Sequence, residues 1–172
     1  VDANPNITGI ILEVNSGGGE VTAGQMLQST LSSITTPVVA WAHQMASGAV
    51  MGTLPIKKIM LSSPGAMVGS IGTMIELSKW FGNYYRSSVD VLYAKESTNK
   101  NRSFREYITG NSDPYQDQIN QINKRFLADV RKHRQLKGNT NHTLSGEMFQ
   151  AQDAINRGLA HRIGNFTDAV RM

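Results

Sequence analysis

The chain has 172 residues, of which 40% are hydrophobic, 17% charged and 7% aromatic, with 16 glycines, 5 prolines, no cysteine and a formal net charge of +4. This profile describes one globular domain over residues 1–172, able to bury roughly two thirds of its unfolded surface, and it excludes disulfide scaffolds and cysteine-ligated zinc. No apolar run approaches the roughly 20 residues that span a bilayer; the start at Val1, with a strand almost at once, reads as a piece of a longer product whose missing start could hold a membrane anchor or a first strand.

In chain order, Ile7, Ile10, Ile11, Leu12 and Val14 form a β-branched run that stops at Asn15-Ser16-Gly17-Gly18-Gly19, a buried strand feeding a glycine loop. From Val21 to Ile34 the apolar residues Ala23, Met26, Leu27, Leu31 and Ile34 fall at helical spacing, and Thr36-Pro37 ends the helix. Val38 to Ala42 is a second strand, followed by His43-Gln44-Met45-Ala46-Ser47-Gly48 and a small-residue helix from Ala49 to Leu54. A third strand is expected at Lys58 to Ser62. Strand–helix–strand–helix–strand with runs apolar on both faces predicts an α/β fold with a mostly parallel sheet flanked by helices. Sites in such sheets lie at the carboxyl ends of strands, where both unusual loops fall.

After Pro64-Gly65 comes Val68-Gly69-Ser70-Ile71-Gly72-Thr73, then a helix expected from about Ile75 to Tyr85 and a strand at Val89 to Tyr93. Ala94 to Asp113 is polar and aperiodic, which predicts a long loop. Ile119, Ile122, Phe126, Leu127 and Val130 predict a long amphipathic helix from Pro114 to about Leu136. The tail reads as turns around a short helix, Ala151 to Arg157, and a last helix after Ile163-Gly164-Asn165. Between Lys95 and Lys137 ten Lys or Arg face five acids, but the acids are interleaved and no aromatic ladder accompanies them, so the charge is a solvated helix face and no nucleic-acid partner is expected.

Ser47, between Ala46 and Gly48 at the end of one strand and the start of a buried helix, is placed to be a nucleophile. The Gly48 N–H, with one from the glycine loop, would form an oxyanion hole. The alternative is that Ala-Ser-Gly is merely small for close packing. His43, His133, His142 and His161 are poorly placed as bases. Lys95 and Lys100 lie in the long loop, and either could fold back over the two glycine loops.

The run Ile10 to Ala23 resembles the strand and Asp-Ser-Pro-Gly-Gly-Ser-Val loop of the signal peptide peptidase A family of serine peptidases. Met45-Ala46-Ser47-Gly48 resembles its Ala-Ala-Ser-Gly-Gly segment, and Val68-Gly69-Ser70-Ile71-Gly72 its Thr-Gly-Ser-Ile-Gly segment. Gly146 to Ala154 and Gly158-Leu159-Ala160 are similar to its closing pattern. The resemblance implies a Clp-protease-like (crotonase-type) core and a Ser-Lys peptidase that needs no cofactor or metal, acts on peptide or protein substrates and assembles as a homo-oligomer. It implies Ser47 as nucleophile, Gly48 with Gly18 or Gly19 as oxyanion donors, Ser70 as the hydroxyl orienting the lysine, and Lys100, in a Lys-Asn pair, as the base in preference to Lys95. A histidine-based Clp protease would carry its histidine roughly 25 residues after the serine, where Ser70-Ile71-Gly72 stands. Departures at Asn15 (for Asp), Gly17 (for Pro), Ala49-Val50 (for Gly-Tyr) and Ala160-His161 (for Val-Asp) remove no catalytic group, and those in the loop after the strand and beyond Ser47 would line the pocket. A phage prohead protease or an inactive scaffold of the same fold is the competing reading.

Overall fold

A computed structural model describes residue 2 and residues 4–172. The chain forms two compact units, one comprising residues through Gly72 together with Arg125–Met172, the other Thr73–Lys124.

The first unit is built on a six-stranded sheet. Strands β1 (Ile10–Ser16), β2 (Val38–Ala46), β3 (Lys58–Leu61), β4 (Met67–Gly69), β5 (Met148–Gln150) and β6 (Arg162–Ile163) run in the order β5-β4-β2-β3-β6, with β1 paired to β2. All pairs are parallel except β4 with β5. The mixed, parallel-dominated α/β sheet is thus the one anticipated. β2 is the axis: its Val39–Ala42 half pairs with β3 and its Gln44–Ala46 end with β4, while β1 follows its other edge. A parallel sheet must be covered on both faces, and Ala40, Ala42, Met45, Ile59, Met60, Leu61 and Val68 are accordingly buried.

Helix α1 (Val21–Ser33) returns the chain from β1 to β2 and crosses the short α2 (Gly48–Gly52) at a contact made by glycines. A Cβ on Gly24 would stand 3.0 Å from the Gly48 carbonyl, and one on Gly52 2.6 Å from Leu27. This close approach draws α2 onto the end of β2.

In the second unit, α3 (Lys79–Ser88) starts later than the expected Ile75, because Ser78 accepts a hydrogen bond from the Phe81 N–H (3.2 Å) and caps it there. The expected strand at Val89 to Tyr93 is irregular, since among the described residues no strand lies beside it to complete a ladder. The expected loop from Ala94 to Asp113 contains α4 (Arg102–Ile108), supported by an Arg102–Glu106 pair one turn apart and by Phe104 packed edge-on to Tyr85 at 4.8 Å. Helix α5 (Asp113–His133) begins in the second unit and ends in the first, where Phe126 and Val130 enter the core. Asp113 at its start and Arg131, Lys132 and His133 at its end complement its dipole. The tail adds α6 (Thr140–Thr143), α7 (Ala151–Asn156) and α8 (Phe166–Val170) around β5 and β6.

Candidate active site

Three parallel strands, β1, β2 and β4, deliver their carboxyl ends to one place. β1 and β2 stay in register until a bulge at His43, where Val14 pairs with Ala42 but Asn15 with Gln44. A bulge turns the following side chains relative to the ladder. Two residues on, β2 ends at Ala46 and Ser47 adopts φ 50° and ψ −115°. In register beside it, Ala46 pairs with Gly69, and Ser70 likewise has φ 50°.

Left-handed backbone costs a residue with a Cβ roughly 1–3 kcal/mol and persists only where the surroundings impose it. Among the described residues other than glycine, only Ser47, Ser70 and Asn101 have positive φ. The two serines are held by their neighbours. The Ser47 N–H donates to the Gly69 carbonyl (3.0 Å) and the Ser70 N–H to the Glu147 carbonyl (2.7 Å). Gly69 must be glycine, because its φ is 148° and a Cβ would fall 2.2 Å from the Glu147 oxygen.

The glycine loop after β1 packs directly on Ser47. A Cβ on Gly18 would lie 2.8 Å from the Ser47 Cβ and 3.0 Å from the Gly48 N, and one on Gly48 would lie 3.2 Å from the Gly19 N. The Gly18 N–H is spent on Ser16 Oγ at 3.2 Å, so Gly19 is the loop residue whose amide remains beside Gly48. Ser16 was not singled out from sequence. A serine opening a glycine run is a side-chain turn signal that could have found it.

A cavity of about 330 Å³ opens beside these amides, lined by Leu12, Val14, Ala23, Leu27, Ala49 and the buried Thr53, with Glu13 and Glu20 also on its wall. The four histidines are engaged elsewhere: His43 Nε2 lies 2.9 Å from Glu13, His133 Nδ1 2.9 Å from the Asp129 carbonyl, His142 pairs with Glu147, and His161 Nδ1 accepts from the Ile59 N–H (3.1 Å). Ser47, Gly48, Gly18, Gly19 and Ser70 thus come together in the first unit. Lys100 and Lys95 belong to the second, both exposed, with Lys100 in a turn closed by its N–H to the Ser97 carbonyl (3.1 Å), just before the left-handed Asn101.

Residues 30–172 match the sequence model of peptidase family S49. The chain belongs to peptidase family S49. It is 29% identical over 179 residues to a Methanocaldococcus jannaschii protein provisionally named a protease, an alignment that covers 99% of this chain and 57% of that protein. It is 27% identical over 171 residues to protease 4 of Haemophilus influenzae, covering 96% of this chain and 28% of the relative. The chain therefore spans from about a quarter to just over half of these relatives. Among solved structures, the membrane-bound stomatin-specific protease 1510-N, as a variant with a substrate peptide, superposes with a TM-score of 0.59 at 14% identity, over 96% of this chain and 64% of that one. A ClpP1 variant from Listeria monocytogenes gives 0.54 at 11% identity, over 95% and 78%. At such identities the likeness is one of fold, and the fold of this family S49 chain is Clp-protease-like.

Proposed function

We propose that the chain is the catalytic domain of a serine endopeptidase working by a Ser47–Lys100 dyad. The observation that carries it is Ser47, in strained left-handed backbone at the end of β2 with the glycine loop packed on its Cβ, in a chain of a peptidase family. The assignment of Lys100 rests on the sequence resemblance.

Lys100 Nζ takes the proton from Ser47 Oγ as the oxygen bonds to the substrate carbonyl carbon. The Gly48 and Gly19 N–H groups receive the oxyanion, Gly18 serving instead as the packing residue that brings Gly19 close. Such donors typically stabilise a transition state by about 3–4 kcal/mol each. Lys100 then gives its proton to the departing amine as the C–N bond breaks. Water gives a proton to Lys100 as it attacks the acyl ester, the acyl C–Oγ bond breaks, Lys100 returns that proton to Ser47 Oγ and the peptide acid leaves. The Ser70 hydroxyl orients the amine. The substrates are extended peptides with an apolar side chain for the cavity, as in spent signal peptides, and the working form is a homo-oligomer.

Labelling by a serine-reactive probe at Ser47, lost in Ser47→Ala, tests the nucleophile. Lys100→Ala should cost nearly as much as Ser47→Ala and Lys95→Ala little. The reverse lysine order would reassign the base, and an unlabelled intact protein would favour an inactive scaffold.

A further inference from the structure

Arg134 follows α5, is only 7% exposed and makes no ion pair among the described residues. Its guanidinium donates instead to carbonyls. Nη2 bonds the Thr53 oxygen at 2.9 Å, and Nη1 bonds those of Leu54 at 3.0 Å, Ile56 at 3.2 Å and His133 at 3.3 Å. Nε is buried without a partner, and burial pulls the pKa down to about 10. A buried cation without a counter-ion is costly, so a core-filling role is poorly served by this residue. What the planar fork does, and a lysine ammonium cannot, is meet several fixed carbonyls in one geometry.

Three of those carbonyls, of Thr53, Leu54 and Ile56, lie at the C-cap of α2 and in the turn that follows it. Five residues make little more than one helical turn, two of the five are glycine, and such a segment does not hold its own shape. Its hydrogen bonds run straight to the nucleophile. The Thr53 N–H donates to Ala49 (3.2 Å) and the Met51 N–H to the Ser47 carbonyl itself (3.1 Å). Thr53 Oγ1 bonds the Ala49 carbonyl as well, at 2.8 Å. A slip at the clamped end is thus passed to Ser47 and the Gly48 N–H.

We infer that Arg134 is a positioning residue for the reaction, its guanidinium clamping the carboxyl end of α2 so that Ser47 and the Gly48 N–H at the amino end keep their places. The inference rests on Ser47 being the nucleophile, but the clamp can be read without catalysis.

The test uses Arg134→Met and Arg134→Lys in the full chain. Probe labelling of Ser47, kcat and KM for a peptide, and amide hydrogen exchange are measured together, with Leu159→Ala, a buried core change outside α2, as the control. Labelling and kcat should fall about 10- to 100-fold in both arginine variants while KM moves less than about threefold, as misplacement of reacting groups predicts. Exchange at the Met51 and Thr53 amides should quicken about tenfold or more with that at Ile59 unchanged. Wild-type labelling rates in Arg134→Met, the same loss in Leu159→Ala at equal thermal destabilisation, or faster exchange throughout the sheet would each overturn the inference. If wild-type Ser47 takes no label, the nucleophile assignment falls, and the exchange pattern alone decides whether the clamp exists.

Discussion

Gly18→Ala is the sharpest perturbation of the proposed oxyanion hole, because the added atom points at Ser47, the proposed nucleophile. The new Cβ would stand 2.8 Å from the Ser47 Cβ, 2.9 Å from the Ala46 oxygen and 3.0 Å from the Gly48 N, all parts of the main chain or fixed to it. Carbon atoms settle about 3.5–4.0 Å apart, so the glycine loop must withdraw by about 0.7 Å or more. Oxyanion donors work at about 2.7–3.1 Å, and removing one costs about 10²- to 10³-fold in kcat. A retreat of that size, taking the Gly19 N–H with it, should lower kcat/KM about 100-fold. The strain of alanine at a φ of 107° adds roughly 1–3 kcal/mol of destabilisation, with each kcal/mol worth about 2–4 °C in Tm at this size. Gly138→Ala separates the two effects: its φ is 65° but nothing lies within 4 Å of the new Cβ, so it should lose stability and keep its activity. Turnover of a fluorogenic peptide and thermal melting of both variants decide the matter. If Gly18→Ala kept kcat/KM within about threefold of wild type, the assignment of this loop to the oxyanion would be refuted.

Gly69→Ala should be strongly destabilising, by more than about 3 kcal/mol, since its Cβ meets the Glu147 oxygen at 2.2 Å with backbone on both sides; a melt indistinguishable from wild type would contradict the described approach of β5 to β4. His161 supplies a pH dependence. Its pKa is lowered by burial, with repulsion from Arg134 and Lys58 adding to it, so folding favours the neutral ring. The stability it contributes is complete above about pH 6.5 and is lost as pH falls toward the lowered folded value. Wild type should therefore lose more Tm between pH 7.5 and pH 5 than His161→Asn, whose amide oxygen can still accept from the Ile59 N–H without titrating; parallel curves would refute this reading.

Much of the first unit was legible because its signals are local. The runs Ile10 to Val14, Val38 to Ala42 and Lys58 to Ser62 are apolar on both faces and end at turn residues, as buried parallel strands must. β5 and β6 carry no such signal. At three and two residues they are strands only because β4 and β3 stand beside them. The Val89 to Tyr93 run is the converse case, a strand-like pattern with nothing to pair against. α4 was hidden by its charge, its apolar residues Phe104, Tyr107 and Ile108 having the right spacing but lying among Arg102, Arg105 and Glu106.

At the site, the residue types could be read, but not the forces that hold them. Ser47 and Ser70 stand where local preference would choose glycine, and each has a glycine next to it that could have taken the turn. A chain selected for stability alone would place glycine at the left-handed position. Instead the serine carries the strain at the ends of two adjacent parallel strands, and the sheet supports it through the Gly69 and Glu147 carbonyls and the buried Met45, Ala46 and Val68. Hydroxyl groups kept at strained positions side by side, against a loop that tolerates no Cβ at Gly18, are difficult to explain by packing, because glycine would take those positions at lower cost. The choice of serine over glycine at both positions is therefore the structural argument for chemistry at this end of the sheet, and it stands independently of the family likeness.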